Sequence, residues 1–449
     1  MSSDSAGDVA TTALDKAHGL FITGDPDGAL RIAVSVIEPS SSEAPSFQVG
    51  AALLVVRVLA AEHRGIVAAE VAARLVDAYV RRGDLPSAVV AARAVADCGE
   101  DAKPHFASIA QVFGKGSKRV GDVSQSPPPL PASPGVSPAL AKLKGEALRD
   151  RAEVALAGLL AEDDTVDAGG KVPHLPLVGA LVPQTLERML GSLSIRDVAT
   201  DGVVLRQGDE GREAFIVVRG ALRVLRHSDD GTETVLAVLG PGAIFGEMAL
   251  VSDSPRAAGV VAIEEVTLLV ASRDVLEQIA KSEPVLGAEL ASFCRGRMVA
   301  NLLRHSAILR AVAPAERAEL MGRFETRTFA AGDLLVREGV DSDGLFLIAS
   351  GTVRVTGKDG EGDTIVLARL GPGDVVGEIS LVLRRPATAD VVAEHATIAM
   401  ELKRDQFQAA IKEHPTLLGE LYELATKRDE ETRSVVAQEA LDASDFVIV

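Results

Sequence analysis

The sequence contains little aromatic and sulfur chemistry. It has no tryptophan, two tyrosines and two cysteines among its 449 residues. The two cysteines, Cys98 and Cys294, lie far apart in the chain, so the sequence indicates no disulfide framework. The fold must therefore depend on its hydrophobic core, and the chain is long enough for about three domains with cores of their own.

Long apolar runs and excess positive charge are also lacking. The longest apolar run, Val49–Ala61, contains Arg57 and is shorter than the roughly 20 residues that span a bilayer; no signal peptide is visible. The net charge is −18 and the pI is near 5.0, whereas nucleic-acid phosphates require a basic surface. We therefore expect a cytoplasmic protein with no membrane insertion and no nucleic-acid partner.

The signatures of common enzymes are not present. The eight histidines do not gather with carboxylates at metal-site spacings, and His227 and His395 are isolated. No Walker loop, kinase motif set or nucleophile elbow occurs. The sequence predicts no enzymatic activity, no catalytic residue and no metal site.

The most informative positive feature is an internal repeat at a constant offset, in which each position n of the first copy matches position n + 131 of the second. The register runs from position 183 to position 284 without insertion or deletion, which indicates two copies of one domain. The clearest matches pair Pro183 with Pro314, Gly208 with Gly339, Phe215 with Phe346, Gly220 with Gly351, Gly240–Gly242 with Gly371–Gly373, Gly246–Glu247 with Gly377–Glu378, and Pro284 with Pro415.

Each copy has a helical beginning, a β-rich middle and a helical end. Apolar residues have helical spacing over Leu181–Leu190, and short segments with the character of β-strands follow. From Asp274 the apolar residues return to helical spacing. Short strands separated by glycine and proline turns are typical of sandwiches, barrels and jelly rolls. The predicted strands of the first copy are Gly202–Leu205, Ala214–Val218, Ala221–Val224 and Thr234–Leu239.

One segment of the first copy combines residues suited to an anionic ligand. Gly246 lets the backbone approach a ligand closely, and Glu247 begins a short turn whose N–H groups are free to face an anion. Arg256 supplies a planar guanidinium that can bond two phosphate oxygens. The alternative interpretation is that Glu247 and Arg256 simply pair across a turn.

Gly240–Leu250 followed by Ser254–Ala258 strongly resembles the phosphate-binding cassette of cyclic-nucleotide-binding domains. The resemblance covers about positions 175–300 and, more weakly, 306–430. It implies that Glu247 bonds a ribose hydroxyl, that Arg256 binds the cyclic phosphate, and that cyclic AMP is the ligand. Cyclic AMP is expected over cyclic GMP because Ala257 lacks a hydroxyl. The ligand-binding residues implied are Phe245, Gly246, Glu247, Met248, Ala249, Arg256, Ala257 and Ala258.

The first copy also departs from the family pattern. Arg212 stands where the family often has an acidic residue that orients the phosphate arginine, although Glu213 is adjacent. No aromatic lid over the base is evident; Phe293, Met298 and Leu302 are the apolar candidates, and core packing is an alternative for each. The resemblance further implies that the helical segment Asp274–Arg304 is the mobile element, with Pro284 as a break.

The second copy keeps the fold signals of the cassette but not its chemistry. At the equivalent positions it has Gly377 and Glu378, with Ser380 in place of Ala249 and Ala387 in place of Arg256. A phosphate bound there would have no cation to compensate its charge. We therefore predict a degenerate second site in a domain retained for packing or partner contact.

The N-terminal part of the chain has a different character. Two segments, Ala17–Ala29 and Asp77–Ala88, place Gly-Asp between stretches of helical spacing. They resemble tetratricopeptide-type hairpins, although the step from Gly24 to Gly83 is not a multiple of the tetratricopeptide period. We predict a small α-solenoid of about six helices that offers a protein-binding surface; a helical cap on the other domains is the alternative.

The sequence therefore predicts a multidomain α+β protein, in which an N-terminal α-solenoid is followed by two jelly-roll β domains flanked by helices. The predicted regions are a tetratricopeptide-like helical domain (1–113), a Pro/Gly-rich linker with one helix at Pro138–Leu160 (114–170), a first cyclic-nucleotide-binding-like domain (171–304), a second, degenerate one (305–430), and an acidic tail that follows a charged helix at Leu417–Gln438 and ends in four apolar residues (431–449).

Two functions remain open at this point. The first is a cyclic-nucleotide sensor that acts on a protein partner through residues 8–113, with the tail as a further docking segment and a homo-oligomer as one possible assembly. The second is an interaction scaffold whose β domains bind no nucleotide. The tandem domains also resemble those of the regulatory subunit of cyclic-AMP-dependent kinase. Linker residues 114–138, however, contain no Arg-Arg-x-Ser/Ala inhibitor segment, so kinase inhibition is not implied. The composition, rich in Ala, Val, Arg and Gly, suggests a bacterial source.

Overall fold

The computed structural model describes residues 13–38, 45–121, 136–161, 171–227, 232–358 and 363–445. These residues form two compact units. Unit 1 contains the described residues up to Leu205 together with Glu213–Phe245 and Gly259–Glu289; unit 2 contains Arg206–Arg212, Gly246–Ala258 and the described residues from Leu290 onward. The proline-rich segment, the acidic loop 162–167 and the last four residues lie outside the described residues. The five-region division stays a prediction.

The N-terminal part of unit 1 is helical, as predicted. Six helices lie in the described part of residues 1–113: α1 (Ala13–Ile22), α2 (Pro26–Ile37), α3 (Pro45–Ala61), α4 (Ile66–Arg82), α5 (Leu85–Asp97) and α6 (Lys103–Phe113). Each Gly-Asp motif joins two of them, because the aspartate caps the following helix. Asp25 accepts from the N–H of Gly28 at 2.8 Å, and Asp84 from that of Ser87 at 3.1 Å. The finer interpretation, a tetratricopeptide-like solenoid, stays a prediction.

The single helix predicted at Pro138–Leu160 is wrong in one respect. The structure has two helices there, α7 (Pro138–Ala141) and α8 (Gly145–Ala161), because Gly145 adopts a left-handed backbone with φ of 55°. Helix α8 also packs on the N-terminal helices. Arg149 donates to both carboxylate oxygens of Glu62, at 2.8 and 2.6 Å, and Leu148 and Leu156 are fully buried. Two short strands, β1 (Val120–Gly121) and β2 (Val172–Pro173), pair in parallel.

The strands of the first copy form two four-stranded antiparallel sheets, in the orders β3-β10-β5-β8 and β4-β9-β6-β7. Phe215, Val217 and Leu268 belong to the apolar core of the domain. The elements are α9 (Pro176–Ala180), α10 (Pro183–Ser192), β3 (Ser194–Val198), β4 (Val203–Leu205), β5 (Glu213–Arg219), β6 (Leu222–His227), β7 (Glu233–Leu239), β8 (Ile244–Phe245), a 3₁₀ turn (Glu247–Leu250), β9 (Gly259–Ala262), β10 (Val266–Ser272), α11 (Arg273–Ser282) and α12 (Pro284–His305).

The second copy repeats this plan, with sheets in the orders β11-β18-β13-β16 and β12-β17-β14-β15. Each of its strands begins at the position that the sequence offset assigns to it, as Ser194 and Glu325 show for the first strand of each copy, so the register read from the sequence is confirmed. The elements are α13 (Ala307–Arg310), α14 (Arg317–Gly322), β11 (Glu325–Phe329), β12 (Leu334–Val336), β13 (Gly344–Ser350), β14 (Val353–Lys358), β15 (Thr364–Leu370), β16 (Val375–Val376), α15 (Glu378–Val382), β17 (Asp390–Ala393), β18 (Thr397–Lys403), α16 (Arg404–Glu413) and α17 (Pro415–Asp445).

Two helical features matter for the site. The predicted break at Pro284 is confirmed, since Glu283 separates α11 from α12 with φ of −133° and ψ of 77°. The charged helix predicted at Leu417–Gln438 lies within α17, which continues to Asp445, into the region predicted as a tail. Among the helices of the described residues, none combines the length and the apolar character that crossing a bilayer requires.

Candidate nucleotide-binding site

The cassette begins directly after β8, at a glycine. Gly246 has φ of 70°, in the left-handed region that other residues enter only with strain, and the 3₁₀ turn Glu247–Leu250 follows. This geometry turns the carbonyl of Gly246 toward Arg256, whose Nη1 donates to it at 2.9 Å. The glycine thus both starts the turn and supplies an acceptor that holds the arginine.

Arg256 is anchored at its backbone as well as at its guanidinium. Its N–H donates to the carbonyl of Asp209 at 2.9 Å, and its own carbonyl accepts from the N–H of Gly208 at 2.8 Å. The residue is only 8% exposed. A buried, positively charged side chain is costly unless something compensates the charge. These backbone hydrogen bonds therefore fix the position of a buried cation.

Gly211 lies directly beside the guanidinium of Arg256. A Cβ at this position would lie 2.7 Å from Cζ and 2.6 Å from Nε of Arg256, closer than atoms can approach. A side chain there would displace the guanidinium. The glycine of the 206–212 turn therefore leaves the room that the arginine occupies.

Glu247 is held by two residues of helix α12. It is 5% exposed, its Oε1 accepts from Nε of Arg297 at 3.2 Å, and its carbonyl accepts from Sγ of Cys294 at 3.3 Å. Burial, together with the charge of Glu247 and against the opposing charge of Arg297, raises the pKa of Cys294 to about 12. The thiol is therefore protonated at neutral pH and acts as a donor.

The other predicted site residues have differing exposure. Phe245, in unit 1, is buried and stacks on Phe215 with ring centroids 5.1 Å apart. In unit 2, Ala249 is buried, Met248 and Ala258 are half-buried, and Ala257 is exposed. Arg212, the departure noted in the sequence, forms an ion pair with Asp253 at 3.5 Å. Of the lid candidates, Met298 and Leu302 are buried and Phe293 is half-buried.

The second cassette has the same backbone start but a different lining. Gly377 has φ of 85°, and Glu378 accepts from Arg428 of α17 at 3.0 Å. The hydroxyl of Ser380 accepts from the N–H of Ser342 at 2.9 Å. Ala387 lies in an apolar cluster of the second domain, where Arg256 of the first copy provides a charge.

Arg385, the nearest arginine in sequence to Ala387, does not replace the missing charge. It forms an ion pair with Asp429 of α17, which also pairs with Arg433 at 3.2 Å. The second cassette therefore has no equivalent of the phosphate cation at position 387.

The arginines that hold the two glutamates are not marked by any local motif in the sequence. Arg297 and Glu247 lie far apart in the chain, and no local motif connects them. The repeat itself contained the signal, because the offset that relates Glu247 to Glu378 also relates Arg297 to Arg428.

No candidate metal site occurs among the described residues. In that part of the chain, no group of three or more His, Cys, Asp or Glu side chains is placed to bind a metal ion.

Comparison with known proteins agrees with the two-domain plan. Residues 195–283 and 326–414 each match the family model described as cyclic nucleotide-binding domain, and together they make up less than half of the chain. The chain therefore carries two cyclic-nucleotide-binding domains in tandem. The N-terminal helical region lies outside both matches.

Individual relatives are regulatory proteins. The chain is 30% identical over 208 residues to the cAMP-dependent protein kinase regulatory subunit of Dictyostelium discoideum, covering 46% of this chain and 61% of that protein. It is 31% identical over 217 residues to the subunit of the same name from Aspergillus fumigatus, covering 47% and 50%. Among solved structures, the regulatory domain of Toxoplasma gondii PKA with cAMP is similar at 27% identity, 57% and 92% coverage and a TM-score of 0.27.

These matches have a limited extent. The chain spans about half to three fifths of the length of the curated relatives it matches. Both curated relatives come from eukaryotes, so they give no support to the bacterial source suggested by composition. Their names describe regulatory subunits; that this chain is not an enzyme stays a prediction.

Proposed function

We propose that this protein is a cyclic-nucleotide sensor that binds one cyclic AMP per chain in its first β domain. The single observation that carries the proposal is the buried Arg256, whose guanidinium donates to the carbonyl of Gly246 and has room beside Gly211. Its backbone is fixed by Gly208 and Asp209. A cyclic phosphate carries one negative charge and two exocyclic oxygens, which suit a planar guanidinium. The second cassette, with Ala387 at the equivalent position, lacks this charge.

The same cassette offers a route from ligand to output. Glu247, the residue implied to bond the ribose, is also the acceptor for Arg297 and Cys294 of α12. A ligand hydroxyl that bonds Glu247 competes with Arg297 for the same carboxylate. A ligand shifts a conformational equilibrium only if it binds the two conformations with different affinity, and this competition supplies such a difference. We propose that binding re-docks α12, with Glu283 and Pro284 as the hinge.

The partner is proposed to be a protein that contacts the helical region 8–113, with the C-terminal tail as a further docking segment. The names of the two curated relatives make a protein kinase the first candidate to test. Linker residues 114–138 contain no Arg-Arg-x-Ser/Ala segment, so the linker offers no inhibitor segment for such a contact.

Calorimetric titration of the full chain with cyclic AMP tests the proposal. We expect one site per chain. Arg256→Ala should weaken binding by about 2–5 kcal/mol, roughly 30-fold or more, because it removes the partner of a buried phosphate. Arg385→Ala is the matched control: it removes an arginine near the second cassette and should leave the affinity unchanged.

Three results would contradict the proposal. Two equal sites would show that Ala387 does not disable the second cassette, and unchanged affinity in Arg256→Ala would show that the arginine does not hold the phosphate. No binding of cyclic AMP or cyclic GMP to the wild-type chain would favour the alternative function, an interaction scaffold built on β domains that bind no nucleotide.

A further inference from the structure

The first β domain carries exposed apolar side chains on the outer face of one of its sheets. In the sheet β4-β9-β6-β7, the cross-strand register places four residues in one row: Val203, Val261, Arg223 and Val238. Val203 and Val238, at the two ends of the row, are 47% and 63% exposed. The exposed Arg223 shares their face, because directly paired residues of an antiparallel sheet point to the same side. The row therefore combines exposed apolar surface with a cation.

Strand β7 adds a second exposed valine to this face. Val235 pairs with Leu225, and Val238 pairs with Arg223, so Leu236 has no partner in β6 and forms a β-bulge. Because Leu225 and Arg223 are two residues apart, the bulge brings Val235 to the face of Val238. Val235 is 54% exposed. Single exposed apolar residues are ordinary, but a contiguous group of them marks an interaction site.

The second copy covers the equivalent row with charge. Its row consists of Leu334, Val392, Arg354 and Arg369, in the register that the sequence offset predicts. Glu394, which follows β17, pairs with Arg369 at 3.1 Å and with Arg354 at 3.9 Å. Proteins commonly protect the exposed edge of a sheet with charged side chains. The network of Arg354, Arg369 and Glu394 therefore protects the edge strand β15.

The first copy lacks this protection at two of the three positions. Val238 stands where the second copy has an arginine of the network. Ile263, two residues after Val261 and so on the same face, stands in place of the glutamate and is 41% exposed. Arg223 is kept, but the carboxylate that pairs with its counterpart is missing. Within the described part of the chain, β7 has a neighbouring strand on the β6 side only, so its other edge is open to pairing.

These features point to one kind of partner. We propose that β7 and the face beside it dock an extended, acidic segment of a partner protein, which adds a strand to the sheet. Apolar side chains of the segment lie against Val235, Val238 and Ile263, and a carboxylate of the segment pairs with Arg223. This docking surface is not part of the helical region 8–113, and its use does not require nucleotide binding.

Charge favours a different protein over a second copy of this chain as the occupant. The acidic residue of β7 is Glu233, and it is already engaged with His227 at 3.0 Å. Pairing of β7 with its own copy would therefore bring no free carboxylate of that strand to Arg223. It would also gather the exposed Arg223 and Arg226 of both copies at one interface, and such like charges oppose association. An acidic segment meets these arginines with the opposite charge.

Peptide selection on the full chain tests the proposal. Random peptides of about nine residues, long enough to form one strand, are displayed on phage and selected on the wild type after depletion on a double variant. The double variant, Val238→Arg with Ile263→Glu, has the residues of the second copy at these positions and should fold for that reason. We expect enriched peptides that alternate apolar residues and contain Asp or Glu. The synthetic consensus peptide should bind the double variant at least about tenfold more weakly than the wild type in calorimetry.

A second variant isolates the contribution of the charge. Arg223→Gln should weaken the consensus peptide about fivefold, because the carboxylate loses a charge-assisted hydrogen bond. Added salt should weaken binding to the wild type more than binding to this variant. Arg226→Gln is the matched control: Arg226 is exposed on the same strand, but its cross-strand partner is Thr234, in another row. The control should leave the affinity unchanged.

Several outcomes would overturn the proposal. Failure to enrich any peptide, or enrichment of peptides without an acidic residue, would show that the surface does not recognise this chemistry. Equal affinity of the consensus peptide for the wild type and Arg223→Gln would place its binding elsewhere. Sedimentation that shows a wild-type dimer and a monomeric double variant would identify a second copy as the occupant. A gain in peptide affinity on removal of residues 446–449 would identify the last residues of the chain as the occupant.

Discussion

Arg297 donates a hydrogen bond to Glu247, with 3.2 Å between Nε and Oε1, and the pair recurs in the second copy as Arg428 and Glu378 at 3.0 Å. Each pair joins the start of a cassette to the long helix that follows its β domain. The second copy keeps the pair although it has lost the phosphate arginine. The contact therefore stabilises the fold of each copy, independently of whether a phosphate is bound.

Arg297→Ala should lower the free energy of unfolding by about 1–3 kcal/mol, because the buried carboxylate of Glu247 loses a charged donor. Urea denaturation of the full chain measures this change. Arg295→Ala is the matched control, since Arg295 is exposed on the same helix and should change stability by less than about 0.5 kcal/mol. Equal losses in both variants would show that the pair contributes nothing specific.

Gly211→Ala should weaken cyclic AMP binding about tenfold or more while changing stability little. The new Cβ would meet the guanidinium of Arg256, which is the far end of a flexible side chain and can move away. The fold tolerates that movement, whereas the phosphate loses its cation. Titration and thermal unfolding of the same variant separate the two effects. Gly240→Ala is the control, because no atom lies within 4 Å of a Cβ there.

Ligand binding should change hydrogen exchange beyond the cassette. Ser254 of the cassette donates to the carbonyl of Ala396 in the second domain at 2.5 Å, and Glu247 contacts α12. We expect cyclic AMP to alter exchange in 246–258, in 290–305 and in the loop before β18. The Arg256→Ala chain should show none of these changes. Protection confined to 246–258 would mean binding without transmission and would contradict the proposed re-docking of α12.

The repeat register made much of the fold predictable. A single offset relates the strands of the two copies, so the strand positions of the second copy follow from those predicted for the first. Gly246 and Arg256 are also predictable from the sequence, because they lie in one short segment and their spacing is characteristic of the phosphate-binding cassette. The Arg297–Glu247 pair could not be found locally, because a helix and a turn that are distant in sequence meet only in the folded chain.

The break between α7 and α8 shows another limit of the sequence. Apolar residues continue at helical spacing across Gly145, so periodicity alone predicts one helix. The backbone of Gly145 nevertheless turns left-handed, and Arg149 then reaches Glu62 of the N-terminal helices. Tertiary contacts thus place α8 with the helical region, in a stretch that composition assigned to a linker.

Stability should depend on pH through His18. Burial, together with the charge of Arg57 and against the opposing charge of Asp197, lowers the pKa of His18 from 6.5 to about 3. The folded state therefore holds His18 neutral, while the unfolded state takes up a proton below pH 6.5. The stabilisation is fully present above about pH 6.5 and is lost as the pH falls toward about 3, by up to about 1.4 kcal/mol per pH unit.

Denaturation of the wild type and of His18→Leu across pH 7 to 4 measures this contribution. The variant should lose less stability than the wild type as the pH falls, because other groups titrate in both chains and the difference isolates His18. Parallel curves for the two chains would contradict the assignment.

Cys294 should be unreactive in the native protein. Its pKa is raised to about 12, so the thiolate that attacks disulfide reagents is scarce at pH 8, and the residue is fully buried. Titration with a chromogenic disulfide should detect at most one fast thiol per native chain, Cys98, and two after unfolding. Rapid reaction of a Cys98→Ser chain would contradict this burial.

The contacts of the N-terminal helices with α10 and β3 within unit 1 determine how the protein can be divided into fragments. Arg57 pairs with Asp197 at 2.5 Å, Arg93 donates to the carbonyl of Gly191 at 3.1 Å, and Phe106 lies against the same glycine. A fragment that begins after the linker would uncover this surface and leave Asp197 without its arginine. Such a fragment would expose a surface that is buried in the full chain. Ligand affinities should therefore be compared between chains that retain residues 13–113.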